Sequence, residues 1–171
     1  MPAKPPLTTP FRNWTEFGRI ETSKIESALE ASALLMIDID HFKSINDRFG
    51  HITGDHALVV IAQTLASCLR PQDLLARFGG EEFTVLLPGL ETASAVSVAE
   101  RLRAAVAKLP PLTGATATAG TGDHTITVSI GVATAMAATT VAALLARADA
   151  ALYRAKGSGR NRVESETGAR G

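Results

Sequence analysis

The chain has 171 residues, enough for one domain that buries roughly two-thirds of its unfolded surface. With 46% hydrophobic residues and 17 basic against 17 acidic groups, it is neither a disordered chain nor a polycation, so any phosphate binding must come from a local cluster. Cys68, the one cysteine, can make neither an internal disulfide nor a zinc site, and it reads as a small buried hydrophobe in a reducing compartment.

Residues 1–13 read as an irregular lead-in, rich in proline and threonine and without the apolar centre of a secretory leader. A short helix is expected over 14–30. The apolar run 33–37 stops at Asp38-Ile39-Asp40, which marks a buried strand with carboxylates at its end. A polar helix follows over 41–49 and stops at Gly50. The next helix is expected over 55–69, with Asp55 placed as its N-cap. Strands over 74–78 and 83–87 flank Gly79-Gly80-Glu81-Glu82, where a di-glycine predicts a hairpin whose turn uses positive φ. An amphipathic helix over 91–109 runs through Ala95, Val98, Leu102 and Val106. A strand over 125–133 and a helix over 139–156 complete the order, and Gly157-Ser158-Gly159 ends that helix.

Residues after Val163 read as a frayed tail, so the domain is set at 14–163 with 164–171 disordered. The alternation β, α, α, β, β, α, β, α includes an antiparallel hairpin, which disfavours a doubly wound parallel sheet. The expected class is α/β (α+β), with a central mixed or antiparallel sheet flanked by helices. The Ala-rich stretch 132–152 carries Arg147 and Asp149, and Val141, Leu144, Leu145, Ala148 and Leu152 recur at helical spacing. It reads as a surface helix and not a membrane span. A soluble, cytoplasmic protein is expected.

Asp38 and Asp40 lie two apart in a strand and so share a face. A strand this apolar would not end in two such carboxylates without something to offset their repulsion. Glu81 and Glu82 form a second acidic pair on the hairpin tip. Either pair alone is also compatible with solvated strand-end and turn carboxylates. Both together point to a hard cation such as Mg²⁺, which takes oxygen ligands and leaves room for phosphate. Lys43, Lys156 and Arg160 supply complementary charge, and glycines around Arg160 allow a ligand close to the backbone. Acids that bind metal beside converging cations suggest nucleotide phosphate chemistry.

Arg77-Phe78-Gly79-Gly80-Glu81-Glu82-Phe83 resembles the signature of the GGDEF domain, the diguanylate cyclase family, in its GGEEF form. The similarity extends to Asp38 through Asp47, to Phe49-Gly50-His51, to Gly54-Asp55, to Ser129 through Ala133 and to Ala151 through Lys156. It ends at Gly159-Arg160-Asn161-Arg162. Ordered blocks of this kind are far more specific than a lone GGEEF. The chain departs at its start, where Pro5 and Thr9 stand in place of the Asp and Gly usual in the family.

The resemblance implies a palm-like nucleotidyl-cyclase sheet and a reaction that condenses two GTP into cyclic di-GMP, a second messenger, with release of two pyrophosphates. It implies Mg²⁺, with Mn²⁺ as an alternative, held by Asp38, the Ile39 carbonyl, Glu81 and Glu82. Glu81 would accept the proton of the attacking 3′-hydroxyl, and Lys43 would neutralise charge developing on the phosphates. Lys156 and Arg160 would grip the β- and γ-phosphates, with backbone N–H groups of His41 and Phe42 beside them. Asn46 and Asp55 would read guanine, whose N1–H and N2–H₂ a carboxylate can accept. Gly79 and Gly80 would let the nucleotide lie against the hairpin without a Cβ in the way.

Arg70-Pro71-Gln72-Asp73 resembles the family's inhibitory product site, and a helix end with an Arg near its last carbonyls is the plainer reading of the same residues. The implied partners are GTP, cyclic di-GMP as product and inhibitor, and a second copy of the chain in a transient homodimer, with no nucleic acid and no membrane. The alternative is a degenerate GGDEF module that binds GTP or cyclic di-GMP and signals through a partner protein. The presence of both Glu81 and Glu82 favours the enzyme.

Overall fold

The computed structural model describes residues 12–13, 32–112, 124–136 and 139–166. The helix expected over 14–30, most of the lead-in and residues 167–171 lie outside them. In chain order the elements are β1 (Arg12–Asn13), β2 (Ser32–Ile39), α1 (Phe42–Phe49), α2 (His51–Ser67), β3 (Leu74–Arg77), β4 (Glu82–Pro88), α3 (Thr92–Ala107), β5 (Val128–Thr134), α4 (Val141–Gly157) and β6 (Val163–Ser165). One sheet, mixed as the sequence leads one to expect, runs in the order β1-β3-β4-β2-β5-β6.

β2 is central and buried at every position, which is why it reads as a continuous apolar run and not an alternation. It pairs antiparallel with β4, placing Asp38 opposite Glu82, and antiparallel with β5, placing Asp38 opposite Ser129. One face packs Leu35, Ile37 and Phe83 with Ile61, Leu65 and Leu102 from α2 and α3. The other packs Leu34, Met36 and Leu86 with Leu144, Ala148 and Leu152 of α4. Gly131 lets α4 lie directly on β5, because a Cβ there would collide with the backbone of Ala148 and Leu152. Among the described residues no helix is long and apolar enough to cross a membrane.

Several boundaries differ from the expectation. α2 begins at His51, because Gly50 at φ 83 breaks the chain between α1 and α2 and lets a new helix start at once. Asp55 is therefore inside the helix and is not its N-cap. Val163–Ser165 is not a frayed end: it pairs in parallel with β5, and Glu166 N donates to Val132 O at 2.9 Å, so order runs past Val163. Arg12–Asn13 likewise pairs in parallel with β3, so the lead-in ends in a strand. The di-glycine turn does not use positive φ. Among the described glycines only Gly50, Gly89 and Gly159 have it.

Candidate active site

The end of β2 nearest α1 gathers the charged residues. Asp38 is almost fully buried, and its Oδ2 lies 2.7 Å from the ammonium of Lys156 in the last turn of α4. Burial raises the Asp38 carboxyl above its ordinary value, and the bond and charge of Lys156 pull it the other way. Asp40 adds repulsion and Arg160 adds attraction, so both lie within electrostatic reach of Asp38. Ile39 N donates to Glu81 O at 3.3 Å, which ties the hairpin tip to the end of β2.

Asp40 departs from the expectation of converging carboxylates. Its Oδ1 accepts from Ser129 Oγ at 2.6 Å, and its Oδ2 accepts from Thr127 Oγ1 at 2.7 Å and Asn161 N at 3.0 Å. Three of its roughly four acceptor sites are committed to the protein. Among the described residues no three His, Cys, Asp or Glu side chains form a cage for a cation. Asp38 with Glu82 across the ladder is a smaller donor set. It fits Mg²⁺, which ordinarily takes one or two carboxylates and completes its shell with water and substrate phosphate. The Lys156 ammonium on Asp38 shows that a positive charge is accepted at this point.

The hairpin turn is built by residues around the acids. Phe78 N and Gly79 N both donate to Glu82 O, while Arg77 folds back to donate from Nε to Gly79 O at 3.1 Å and from Nη2 to Gly80 O at 2.6 Å. Arg77 thus braces the turn from within, a role its place in the motif did not reveal. A Cβ on Gly80 would meet nothing within 4 Å, so the space above the turn is open. On Gly79 it would crowd the Glu82 carboxylate at 2.8 Å.

Burial first, and then the Asp38 charge, hold the Glu82 carboxyl above its ordinary value, with Asp149 and Glu81 adding and Lys156 opposing. A carboxyl raised in this way holds its proton more tightly folded than unfolded. Stability therefore falls as pH rises from the unfolded value of 4.5 through the folded one. Glu82→Gln removes that opposition. Thermal melting of the ligand-free protein is expected to be higher in the variant at neutral pH, with the gap closing as the pH is lowered toward 4.5. A variant that melts lower than the parent at neutral pH contradicts this crowding of charge.

α1 opens at His41, an exposed residue at φ 56, a left-handed value that histidine tolerates better than most side chains. Lys43 in the first turn of α1, and Asp55 in the second turn of α2, are exposed, and Asn46 is half-buried. Gly54 sits against Asn46, since a Cβ at Gly54 would overlap the Asn46 amide oxygen. Gly54 is thus the seat of Asn46, and a glycine inside a helix eight residues after an Asn was the signal available for it. The structure does not join Lys43, Asn46 or Asp55 to the Asp38 cluster by any direct bond among the described residues.

Arg70 and Asp73 lie at the far end of β3 from the hairpin turn. Asp73 accepts from Arg70 N at 2.8 Å, from Nε at 3.1 Å and from Nη2 at 2.7 Å, and its side chain is 1% exposed. Arg70 Nη2 also reaches Pro88 O at 3.2 Å, and Arg101 Nη2 donates to Cys68 O at 3.0 Å just before the same turn. The motif is a preformed ion pair with a second guanidinium near it.

The family model "Diguanylate cyclase, GGDEF domain" matches residues 8–162. Diguanylate cyclase DgcM of Escherichia coli is 47% identical over 153 residues, which cover 90% of this chain and 34% of that protein. Response regulator PleD of Caulobacter vibrioides is 44% identical over 153 residues, covering 85% of this chain and 33% of that protein. The chain thus spans about a third of the length of these curated relatives. Among solved structures, the GGDEF domain of DgcB from Caulobacter crescentus in complex with c-di-GMP superposes with a TM-score of 0.82 at 32% identity, covering 92% of each chain. The active GGEEF domain of a diguanylate cyclase from Vibrio cholerae gives 0.72 at 31% identity, covering 84% of this chain and 87% of that one.

Proposed function

The chain belongs to the GGDEF domain family of diguanylate cyclases, and on that premise we propose that it condenses two GTP molecules into cyclic di-GMP with release of two pyrophosphates. The observation that carries this reading is the meeting of Asp38, Glu82 and Lys156 at the end of β2, inside a family match that covers most of the chain. In each of two equal steps a 3′-hydroxyl attacks the α-phosphorus of the other nucleotide. A phosphodiester bond forms as the bond to pyrophosphate breaks.

Glu81, on the hairpin tip, takes the hydroxyl proton. Lys43, Lys156 and Arg160 offset the charge that gathers on the phosphates, and the first backbone N–H groups of α1 at His41 and Phe42 add donors. Asp38, the Ile39 carbonyl, Glu81 and Glu82 would hold Mg²⁺ or Mn²⁺, which when bound supplies positive charge beside the reacting phosphates. In the ligand-free protein Lys156 neutralises Asp38, and triphosphate offers that ammonium a second anion. Purified protein incubated with GTP and Mg²⁺ should yield cyclic di-GMP. Binding of GTP with no turnover would favour a module that only signals.

Asn46 and Asp55 are proposed to read guanine. Asp55 is exposed and is not the N-cap of α2, and its carboxylate can accept from guanine's N1–H and N2–H₂. Asp55→Ala should cut the preference for GTP over ATP by about 1–3 kcal/mol, roughly 5- to 150-fold, and competition binding measures it. Unchanged GTP affinity would remove Asp55 from the base site.

Cyclic di-GMP is proposed to bind and inhibit at Arg70 and Asp73. Guanine can accept from the guanidinium at O6 and N7 and donate to the carboxylate from N1 and N2, so it offers each partner of the ion pair seen here a substitute. Arg70→Ala should relieve inhibition with little change in initial rate, because β3 separates the two sites. Calorimetric titration with product that gives the same stoichiometry and affinity in both proteins would move product to the half-site around Asn46 and Asp55.

A further inference from the structure

We propose that Asp40 is a positioning residue of the phosphate site, holding through the backbone amide of Asn161 the loop that carries Arg160, and that it is not a ligand for the cation. The proposal rests on the nucleotide reading above and assigns to it a residue that the reading leaves unused.

The loop after α4 has a conformation that the chain would not choose locally. Gly159, Arg160 and Asn161 have successive φ values of 114, 63 and 44. Left-handed backbone costs a non-glycine residue on the order of 1 kcal/mol, so two in a row persist only where the surroundings over-determine them. Four bonds do so. Arg160 N donates to Ala155 O at 3.0 Å, Asn161 N donates to Asp40 Oδ2 at 3.0 Å, and Arg103 Nη1 donates to Asn161 Oδ1 at 2.8 Å. Beyond them Ile130 N donates to Arg162 O at 2.9 Å, where the chain enters β6.

Arg103 and Asp40 both bring an ionised partner, but the Arg103 bond is open to solvent and the Asp40 bond is not. Its acceptor is a carboxylate 3% exposed, a charge-assisted partner in a site that water scarcely reaches. The carboxylate is itself aimed by Thr127 and Ser129, the latter directly across the ladder from Asp38. Asp38, inside β2, and Asp40, just past its end, thus divide the work. Asp38 faces the cation site and Lys156. Asp40 turns away to the backbone on which Arg160 stands. Arg160 sits between two anchored amides, its own and that of Asn161, so its guanidinium leaves the loop from a fixed point.

The test compares binding of a non-hydrolysable GTP analogue and of GMP, in Mg²⁺, to the 171-residue chain and its variants at Asp38, Asp40 and Asn161. Asp40→Ala should weaken the analogue about tenfold or more and GMP by no more than about twofold, because the loop serves the outer phosphates. Asp40→Asn should restore analogue binding to within about threefold. Its amide oxygen can still accept from Asn161 N, and its amide NH₂ can donate to the Ser129 hydroxyl. A cation ligand would behave otherwise, with Asp40→Asn as damaging as Asp38→Asn.

Should Asp40→Ala fail to fold, exposed Asn161 gives the same answer. Asn161→Gly keeps the amide and the left-handed backbone and should bind the analogue within about threefold of the parent. Asn161→Val, β-branched and strained at this φ, should lose about as much as Asp40→Ala is expected to lose. Equal analogue binding by Asn161→Gly and Asn161→Val, or equal damage from Asp40→Asn and Asp38→Asn, overturns the proposal. Amide exchange of Asn161 without nucleotide separates the two levels of failure. An amide that exchanges slowly in the parent, in a protein that binds neither nucleotide, overturns the nucleotide reading and this role with it. One that exchanges as fast as an open loop overturns the anchor alone.

Discussion

Asp38→Asn and Glu81→Gln are each expected to reduce cyclic di-GMP formation by on the order of a thousandfold with the fold intact. Both substitutions keep the size of the side chain and remove one charged oxygen, so the loss is chemical and not one of packing. Asp38 carries the heavier consequence in ligand-free protein, since its Oδ2 holds Lys156 at 2.7 Å. The Lys156 side chain is 34% exposed, however, and can take water in place of the carboxylate. The raised carboxyl of Asp38 points the same way, because its charge is held there against burial, and Asn should not destabilise the domain. Product formation and far-ultraviolet circular dichroism, measured on the same preparations, settle both halves of the expectation. Turnover near that of the parent in either variant would falsify the assignment of the acids to the reacting phosphates.

Specific activity is expected to rise with protein concentration, and to rise further when a leucine zipper is fused ahead of Met1. On the proposed function, the described residues offer one cluster of Asp38, Glu82 and Lys156, which would hold one triphosphate. The product needs two bonds, each made between the two nucleotides. Two clusters must therefore face one another about a two-fold axis, the commonest oligomer symmetry. A transient encounter supplies little of the proximity that a fixed dimer gives, and tethering raises the local concentration of the partner into the millimolar range. Activity that stays flat over about a hundredfold dilution, with the protein monomeric by light scattering throughout, would overturn the two-half-site mechanism for this chain.

Much of this was legible in the residues because it depends on local rules. The apolar run ending at Asp38 had to be a strand covered on both faces, and it is the centre of the sheet. Gly50 had to end a helix, and it does so with a positive φ. The last helix, expected over 139–156, is found at Val141–Gly157. Where local rules allowed two answers, the expectation slipped. Asp55 is a good N-cap residue, but Gly50 can also start a helix, and the earlier start at His51 left Asp55 one turn inside. Gly79 and Gly80 suit a positive φ, but a turn braced by Arg77 does not need it.

The sequence by itself determined which residues carry charge, which runs must be buried, and that one acidic pair ends a buried strand while the other sits on a hairpin tip, since periodicity and turn chemistry act over a few residues. Only the tertiary structure decided what each carboxylate faces. Asp38 and Asp40 are the same residue type two positions apart, one inside β2 and one just past its end, yet one meets an ammonium beside the hairpin and the other meets Thr127, Ser129 and the amide of Asn161. Those partners lie far along the chain, so no local pattern distinguishes the two acids. The folded positions of β5 and of the loop after α4 do so, because a lone pair is committed to whichever donor the fold brings within about 3 Å of it.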